Sequence, residues 1–309
     1  MSALIDIMSK LENCGGAEAN TGKLGCLQDF GTPLSVILTK NGFVIPKETE
    51  LNIAFLELNI QNGNLIPIMD ASSFEDVSGE DSYSTNAAGV ERLNLRGLPK
   101  YKLMFEEGHE FYRQMYKLTS YKSKGAIIID DSGRWLFGVN ADGDYVGMTL
   151  GQVTSEMRKT KVQGGDAESK TLSMQFLDRY QWDYSYGIVE RVELGFGPEE
   201  VPSINGAKIN FAAVPASTET TVSVSVVLSS DSNSLVEGLL ADNFIVTTGG
   251  TTQVPSGIAE SPAGTYALTV TALAAGDLSV DLYDSSVNLN VIINENVLYR
   301  SATETLVIV

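Results

Sequence analysis

The chain has 309 residues, a hydrophobic content of 43% and a formal net charge of −18 at pH 7. This length allows two domains with separate cores, and the hydrophobic content is ordinary for a globular protein. The acidic balance argues against a reader of duplex nucleic acid, because such proteins draw most of their affinity from lysine and arginine contacts to phosphates.

The first dozen residues predict a short amphipathic helix, with apolar side chains at helical spacing: Leu4, Ile5, Met8 and Leu11. A terminal helix of this length is marginal alone, so we expect it to dock on its own domain or on a neighbouring subunit, and we count Leu4 and Met8 among the candidate inter-subunit contacts. The segment has neither the basic leader nor the apolar core of a signal peptide, and no apolar run reaches the length of a membrane span. We therefore expect a protein that is made and used without export.

Residues 34–60 predict strands followed by a helix. Leu34–Leu38 and Asn41–Pro46 have the composition of a strand or a buried apolar run, with a turn at Asn41-Gly42. Within Lys47–Ile60 the spacing of four apolar residues is helical and places them on one face: Leu51, Ala54, Phe55 and Leu58.

A polar segment, Asp70–Gly89, follows a short strand at Ile66–Met69. It is rich in serine, aspartate and glutamate and poor in aliphatic residues, so we expect a loop. A loop of this length is uncommon inside a compact domain and usually has a function or contacts another subunit. The candidate contact residues in it are Asp76, Glu80 and Tyr83.

After a strand at Leu98–Met104, the segment Phe105–Thr119 predicts an amphipathic helix. Phe111, Met115 and Leu118 form its apolar stripe, which Tyr112 and Tyr116 widen. The charges suit the helix dipole, because acidic residues come early (Glu106, Glu107 and Glu110) and Lys117 comes late. This helix is the expected cover for the apolar face of a sheet.

The sheet itself is predicted within Lys124–Leu194, a series of strands joined by tight turns. Ala126–Ile129 and Arg134–Asn140 flank the turn Asp130–Gly133, and Asp142-Gly143 lies in a second hairpin turn before a strand that starts at Tyr145. Two longer strands, Gln152–Val162 and Ser169–Leu177, form a long hairpin. In the second of them Leu172, Met174 and Phe176 alternate with polar residues, which indicates one buried face. The hairpin tip supplies further candidate contact residues: Gly164, Gly165, Asp166 and Glu168.

A segment rich in glycine and proline, Gly195–Pro202, precedes a strand at Ile204–Ala213 that is either the last of one domain or the first of the next. We place the boundary after this strand, giving domains 1–213 and 214–309. The second domain contains alternating runs at Val222–Leu228, Asn243–Thr248, Tyr266–Leu273, Leu278–Tyr283, Val287–Ile293, Val297–Arg300 and Leu306–Val309. This pattern predicts an immunoglobulin-like β-sandwich. The lack of crossover helices excludes a parallel sheet.

The predicted fold class is therefore mainly β. The first domain combines an antiparallel sheet or barrel unit with a covering helix, and the second is a sandwich.

No pattern in the sequence predicts catalysis, a cofactor or a metal. Cys14, Cys26 and a single histidine are too few for a disulfide framework or a structural zinc site. His109 lies beside glutamates on the predicted helix, but lone helical histidines are far more often structural or solvated. There is no Gly-x-Ser-x-Gly elbow, and the glycines at Gly195 and Gly197 do not open a helix as a dinucleotide fingerprint requires.

Two further patterns have structural interpretations that we prefer. Asn140, Asp142 and Asp144 alternate as in a calcium loop, but the glycine position and the missing closing glutamate favour a hairpin turn. Lysines interleaved with tyrosines between Lys100 and Lys124 suggest a single-strand binding face. Core aromatics with lysines at the rim, or a basic patch that meets an acidic patch on another subunit, explain them better.

With its helix, hairpin series and appended sandwich in this order, the chain resembles virion structural proteins of tailed bacteriophages. The first domain is similar to tail-tube-like proteins, some of which carry a C-terminal immunoglobulin-like domain. The stretch FEEGHEFYRQMYKL followed by GAIIIDDSGRWLFGVNADGDYVGM also resembles structural proteins of phages that infect Bacteroidetes, including the crAss-like group. The resemblance rests on the order of the elements and on the general character of the sequence, and no functional residue is carried over from it.

This resemblance implies a non-enzymatic subunit of a virion ring or tube in the tail or neck, with heterologous contacts between copies. Its partners would be other copies of itself and other virion proteins, with DNA passing through without specific binding and with no membrane. The first alternative is a capsid auxiliary or decoration protein. The alternative from another class is a glycan- or surface-binding β-module, against which the small number of aromatic residues in the second domain argues: Phe244, Tyr266, Tyr283 and Tyr299.

Overall fold

A computed structural model describes residues 30–86, 89–119, 125–157, 169–229, 233–294, 297–302 and 304–308. The fold is mainly β, as the sequence predicts, with 49% of residues in strands and 12% in helices. The chain divides into two units, of which the first comprises Met1–Leu56 and Gly63–Val201 and the second Glu57–Asn62 and Pro202–Val309.

The first unit is built from thirteen described strands and four described helices. Its strands are β1 (Pro33–Thr39), β2 (Val44–Ile45), β3 (Leu65–Ile68), β4 (Ser73–Asp76), β5 (Ser82–Thr85), β6 (Glu91–Leu95), β7 (Lys100–Phe105), β8 (Gly125–Asp130), β9 (Trp135–Val139), β10 (Tyr145–Val146), β11 (Met148–Met157), β12 (Lys170–Phe176) and β13 (Tyr186–Val189). Its helices are α1 (Ile53–Gln61, whose second half belongs to the second unit), α2 (His109–Leu118), α3 (Arg179–Tyr184) and α4 (Arg191–Leu194).

Eleven of these strands form one sheet in the order β2-β10-β9-β8-β11-β12-β7-β4, with β1 pairing β8 and β3, and β13 pairing β9. Strand β11 holds the two halves of the sheet together, because its first residues pair with β8 and the rest with β12. The apolar faces of both halves contribute to one core, which includes Val36, Phe105, Ile128, Met148 and Leu172. The predicted alternation in β12 is confirmed, since Leu172, Met174 and Phe176 are all buried.

Helix α2 covers this core as predicted. Met115 is buried in it, and Phe111, Tyr112 and Leu118 pack against it. The predicted start of the helix is wrong, because Phe105 is the last residue of β7 and pairs with Lys170. Glu106 and Glu107 therefore precede the helix, and backbone pairing in the sheet overrides the helical pattern there.

The predicted face of α1 is also wrong. The side-chain oxygen of Asn52 accepts a hydrogen bond from the N–H of Phe55 at 2.9 Å, so the helix begins after Asn52. Its buried side chains are Leu56, Asn59, Ile60 and Gln61, whereas Leu58 is 48% exposed. Within the second unit, Gln61 at the end of this helix donates hydrogen bonds to the carboxylate of Asp284 at 3.0 Å and to the carbonyl of Val291 at 2.8 Å.

The second unit is a sandwich of two sheets. Its strands are β14 (Ile204–Phe211), β15 (Thr221–Leu228), β16 (Phe244–Thr248), β17 (Thr251–Gln253), β18 (Gly257–Glu260), β19 (Thr265–Thr269), β20 (Gly276–Leu282), β21 (Ile292–Asn294), β22 (Val297–Ala302) and β23 (Glu304–Ile308). The sheets have the orders β18-β19-β15-β14-β22-β21 and β17-β16-β20-β23. Val222, Val224 and Val226 are fully buried between them, so the alternation that predicted a sandwich places these side chains in its core.

Strand β14 corrects two sequence-based expectations. It pairs with β15 and β22, so it belongs to the second unit, and the boundary lies at residue 202 instead of 214. Its pairing with β22 is parallel, which the sequence analysis excluded. No crossover helix is needed, because the first strand of the unit meets one of its last and the whole sandwich forms the connection.

A buried ion pair organises the turn between β8 and β9. The carboxylate of Asp130 accepts hydrogen bonds from the backbone N–H groups of Gly31, Ser132 and Arg134 at 2.8–2.9 Å and from the Arg134 guanidinium at 2.7 Å. Both side chains are nearly inaccessible to solvent. The turn is therefore fixed by a fully hydrogen-bonded carboxylate and not by its glycine alone.

We expect Arg134→Ala to destabilise the first unit by about 3–5 kcal/mol, because it leaves the charge of Asp130 buried without its cation. Both tryptophans, Trp135 and Trp182, lie in the first unit, so urea unfolding followed by tryptophan fluorescence reports this unit selectively. Arg191→Ala is the control, because it breaks an exposed pair with Glu199 and should leave the transition nearly unchanged. A loss of less than about 1 kcal/mol in Arg134→Ala would contradict the role given to this pair.

Candidate assembly surface

A β-ribbon extends from the sheet of the first unit, between Ser73 and Phe105. Strands β4 and β7 pair at its root, from Ser73↔Met104 to Asp76↔Tyr101. Backbone hydrogen bonds from Val77 to Lys100 and from Gly79 to Leu98 continue the pairing through a neck, residues 77–81 and 96–99. Beyond the neck, β5 and β6 form a separate two-stranded sheet, here called the outer hairpin (residues 82–95).

The root of the ribbon is held by four aromatic side chains. The Tyr101 ring makes edge contacts with Phe74, Phe176 and Trp182 at centroid distances of 4.9, 5.4 and 5.3 Å. Burial raises the pKa of the Tyr101 phenol to about 12; the charge of Asp76 adds to the rise and that of Arg179 partly opposes it. The ribbon is thus anchored in the same core that holds the sheet together.

The neck depends on a close approach of two backbone segments. A Cβ at Gly97 would overlap the carbonyl oxygen of Gly79. The carboxylate of Asp81 accepts a hydrogen bond from the N–H of Gly97 at 2.8 Å, and the guanidinium of Arg179 donates to the carbonyl of Gly97 at 3.3 Å. These contacts fix the direction in which the outer hairpin leaves the sheet.

The outer hairpin exposes large apolar side chains. Tyr83 is 58% exposed, and its register partner Leu93 is 43% exposed. Val90 next to the turn and Leu95 at the base are 55% and 70% exposed. An isolated two-stranded hairpin is marginally stable in water, because it has little apolar surface to bury. This hairpin therefore presents a surface that gains stability when another molecule covers it.

Three of the predicted contact residues lie on the ribbon. Tyr83 is on the outer hairpin, and Glu80 is exposed in the neck. Asp76 has a local role, since its carboxylate accepts hydrogen bonds from the N–H and hydroxyl groups of Ser78. The segment Asp70–Gly89 is not the predicted loop, because it contains β4 and β5.

The other predicted contact residues lie outside the described part of the chain: Leu4, Met8, Gly164, Gly165, Asp166 and Glu168. The predicted long hairpin is confirmed as far as Met157↔Lys170, where the described pairing of β11 and β12 ends. Residues 158–162 of its first predicted strand lie outside the described part of the chain. The tip of this hairpin stays a prediction.

Sequence reasoning missed Val90, Leu93 and Leu95. Two signals were available, the alternation of Leu93 and Leu95 and the turn residues Asn86 and Gly89. In the structure the Asn86 side chain accepts a hydrogen bond from the N–H of Val90 at 2.9 Å, and Gly89 has a φ of +76°.

Within the described residues, the other candidate sites from the sequence analysis give little sign of metal binding or catalysis. Asn140–Asp144 forms the predicted turn between β9 and β10, with the Asn140 side chain accepting hydrogen bonds from the N–H groups of Asp142 and Asp144. The described part of the chain has no group of three or more His, Cys, Asp or Glu side chains arranged to hold a metal. The His109 side chain lies outside it, so its structural interpretation stays a prediction. None of the described helices is long and apolar enough to cross a membrane.

Neither the family models nor the curated proteins compared with this chain give a match.

We expect Gly97→Ala to detach the outer hairpin, because the added methyl group collides with the Gly79 backbone and the neck must open. Hydrogen exchange of residues 82–95 should accelerate, while the tryptophan-monitored unfolding of the first unit changes little. Gly108→Ala is the matched control, since a Cβ there meets no neighbouring atom. Unchanged exchange in Gly97→Ala would show that the neck does not orient the hairpin.

We also expect Tyr101→Phe to flatten the alkaline decline in stability. The native pKa of about 12 exceeds the ordinary value of 10, so between these pH values the unfolded chain loses the phenolic proton while the native state keeps it. The free energy of unfolding therefore falls as pH rises through this window, by at most about 1.4 kcal/mol per pH unit for this group. Urea unfolding at pH 9, 10 and 11 measures the slope. Tyr83→Phe, which removes an exposed phenol, is the control, and equal slopes in wild type and Tyr101→Phe would refute the assignment.

Proposed function

We propose that this protein is a non-enzymatic structural subunit of a phage virion that assembles with copies of itself into rings or a tube in the tail or neck. The observation that carries the proposal is the outer hairpin, which extends beyond the core of its own unit with Tyr83, Leu93 and Leu95 exposed. A selected assembly surface explains why an otherwise marginal hairpin carries apolar side chains.

The order of elements supports the virion context of this assembly. A β-sheet unit with a covering helix is followed by a β-sandwich, the order that suggested the resemblance to tail-tube-like proteins. The net charge of −18 suits a channel through which DNA passes, because like charges keep the polymer from adhering to the wall. Partners are therefore other copies of the chain and other virion proteins, and genomic DNA passes without specific binding.

A glycan-binding role for the second unit has little support from its aromatic residues. Phe244 and Tyr266 are fully buried, and Tyr299 packs against the sandwich core. The hydroxyl of Tyr283 donates a hydrogen bond to the side chain of Asn288 at 2.6 Å. Sugar-binding surfaces use exposed aromatic faces, and these four side chains already serve the fold.

The purified chain should form rings or tubes in negative-stain micrographs and sediment as an oligomer. The double variant Tyr83→Ser/Leu93→Ser should weaken association about 100-fold, since each side chain contributes about 1.5 kcal/mol or more when buried. Val214→Ser/Val307→Ser is the control, because it removes two apolar side chains of the second unit that are more exposed than Tyr83 and Leu93.

A wild-type chain that sediments as a monomer at every concentration would overturn the proposal. Equal assembly of the hairpin variant and the wild type would leave self-assembly intact but remove the outer hairpin from the interface.

A further inference from the structure

The sequence contains three Asn-Gly pairs: Asn41-Gly42, Asn62-Gly63 and Asn205-Gly206. In such a pair the backbone nitrogen of the glycine can attack the side-chain amide carbon of the asparagine, because glycine has no side chain to hinder the approach. A five-membered succinimide ring forms and ammonia leaves, and water then opens the ring to an aspartate or an isoaspartate. The reaction needs neither an enzyme nor a cofactor, so the local structure decides which pair reacts.

Two adjoining strands restrain the pair Asn205-Gly206. Both residues lie in β14 and pair with Tyr299 and Arg300 of β22. On the other side of β14, the carbonyl of Gly206 accepts a hydrogen bond from the N–H of Ser229 at 2.8 Å. Ring closure needs a rotation that brings the glycine nitrogen towards the asparagine side chain, out of the extended backbone that the ladder holds. The strand must therefore open before this pair can react.

The end of α1 restrains the pair Asn62-Gly63 less strongly. The N–H of Asn62 donates to the carbonyl of Leu58 at 3.0 Å, which holds the asparagine in the last helical turn. Gly63 follows with a φ of +69°, and both residues are exposed. Because the end of a helix opens more readily than a strand that is paired on both sides, we expect an intermediate reactivity here.

The pair Asn41-Gly42 has the fewest restraints. It forms the turn between β1 and β2, both of its residues are exposed, and a Cβ at Gly42 would meet no atom within 4 Å. A single backbone hydrogen bond closes the turn, from the N–H of Phe43 to the carbonyl of Lys40 at 3.0 Å. Among the hydrogen bonds of the described residues, none is donated by the N–H of Gly42. The attacking nitrogen is therefore available without the loss of a hydrogen bond of its own.

We propose that Asn41 is a site of spontaneous modification, at which attack by the Gly42 nitrogen on the side-chain amide carbon releases ammonia and leaves an aspartate or an isoaspartate. Both products add a negative charge to the turn. In the isoaspartate product the main chain runs through the former side-chain carbon, so it is one carbon atom longer. The modification is independent of the assembly proposed above.

The modified turn leads into an edge strand of the large sheet. Strand β2 is the first in the sheet order, and its two residues pair with β10 through Val44↔Val146 and Ile45↔Tyr145. So short a ladder tolerates little change in the length of the chain that leads to it. We expect the isoaspartate product to loosen β2, so that hydrogen exchange of residues 43–47 accelerates while that of the buried strand β8 does not.

Ageing of the intact protein at mildly alkaline pH, followed by peptide mapping that distinguishes isoaspartate from aspartate, measures the three rates. Native Asn41 should convert at least about 100-fold faster than Asn205, with Asn62 between them, because the strand must open first. In urea the three rates should agree within about threefold, since the unfolded chain lacks these restraints. A native rate at Asn62 or Asn205 that equals the rate at Asn41 overturns the proposal. So does a native Asn41 that converts about 100-fold more slowly than it does in urea.

Three variants separate the modification from its consequence. Asn41→Gln keeps an amide but needs a six-membered ring, so ageing should leave the exchange of residues 43–47 unchanged. Asn41→Asp adds the charge without lengthening the main chain, and freshly prepared protein should exchange like the wild type. Asn62→Gln is the matched control, because it leaves Asn41 reactive and should age as the wild type does. Unchanged exchange of residues 43–47 after Asn41 has converted to isoaspartate would overturn the effect on β2.

Discussion

A strand pair is well anchored only where its side chains pack on a core, and this constraint shapes the first unit. The ladder of β7 with β4 begins over the shared core, where Tyr101 contacts Phe74, Phe176 and Trp182. It then continues past the last buried contacts into the outer hairpin, whose side chains are exposed on both strands. Up to the neck the fold supplies the burial that holds the ribbon. Beyond the neck the chain itself supplies little burial, and the assembly function proposed above rests on this imbalance.

Much of the architecture follows from the sequence because most buried strands carry a repeating signal. The alternation at Leu172, Met174 and Phe176 and at Val222, Val224 and Val226 predicts faces that the structure buries. The Asp130–Gly133 turn is equally predictable, since its carboxylate and glycine have local roles. Local patterns of this kind depend little on which distant strands pair.

The errors occur where distant partners decide the outcome. Phe105 follows the helical pattern of its successors but pairs with Lys170, a residue 65 positions later. Strand β14 is ambiguous in sequence, and its pairing with β22 near the other end of the unit settles which unit it joins. The outer hairpin was missed for the opposite reason. Without a buried face, β5 gives no hydrophobic alternation, and only Leu93 and Leu95 on β6 indicate a strand.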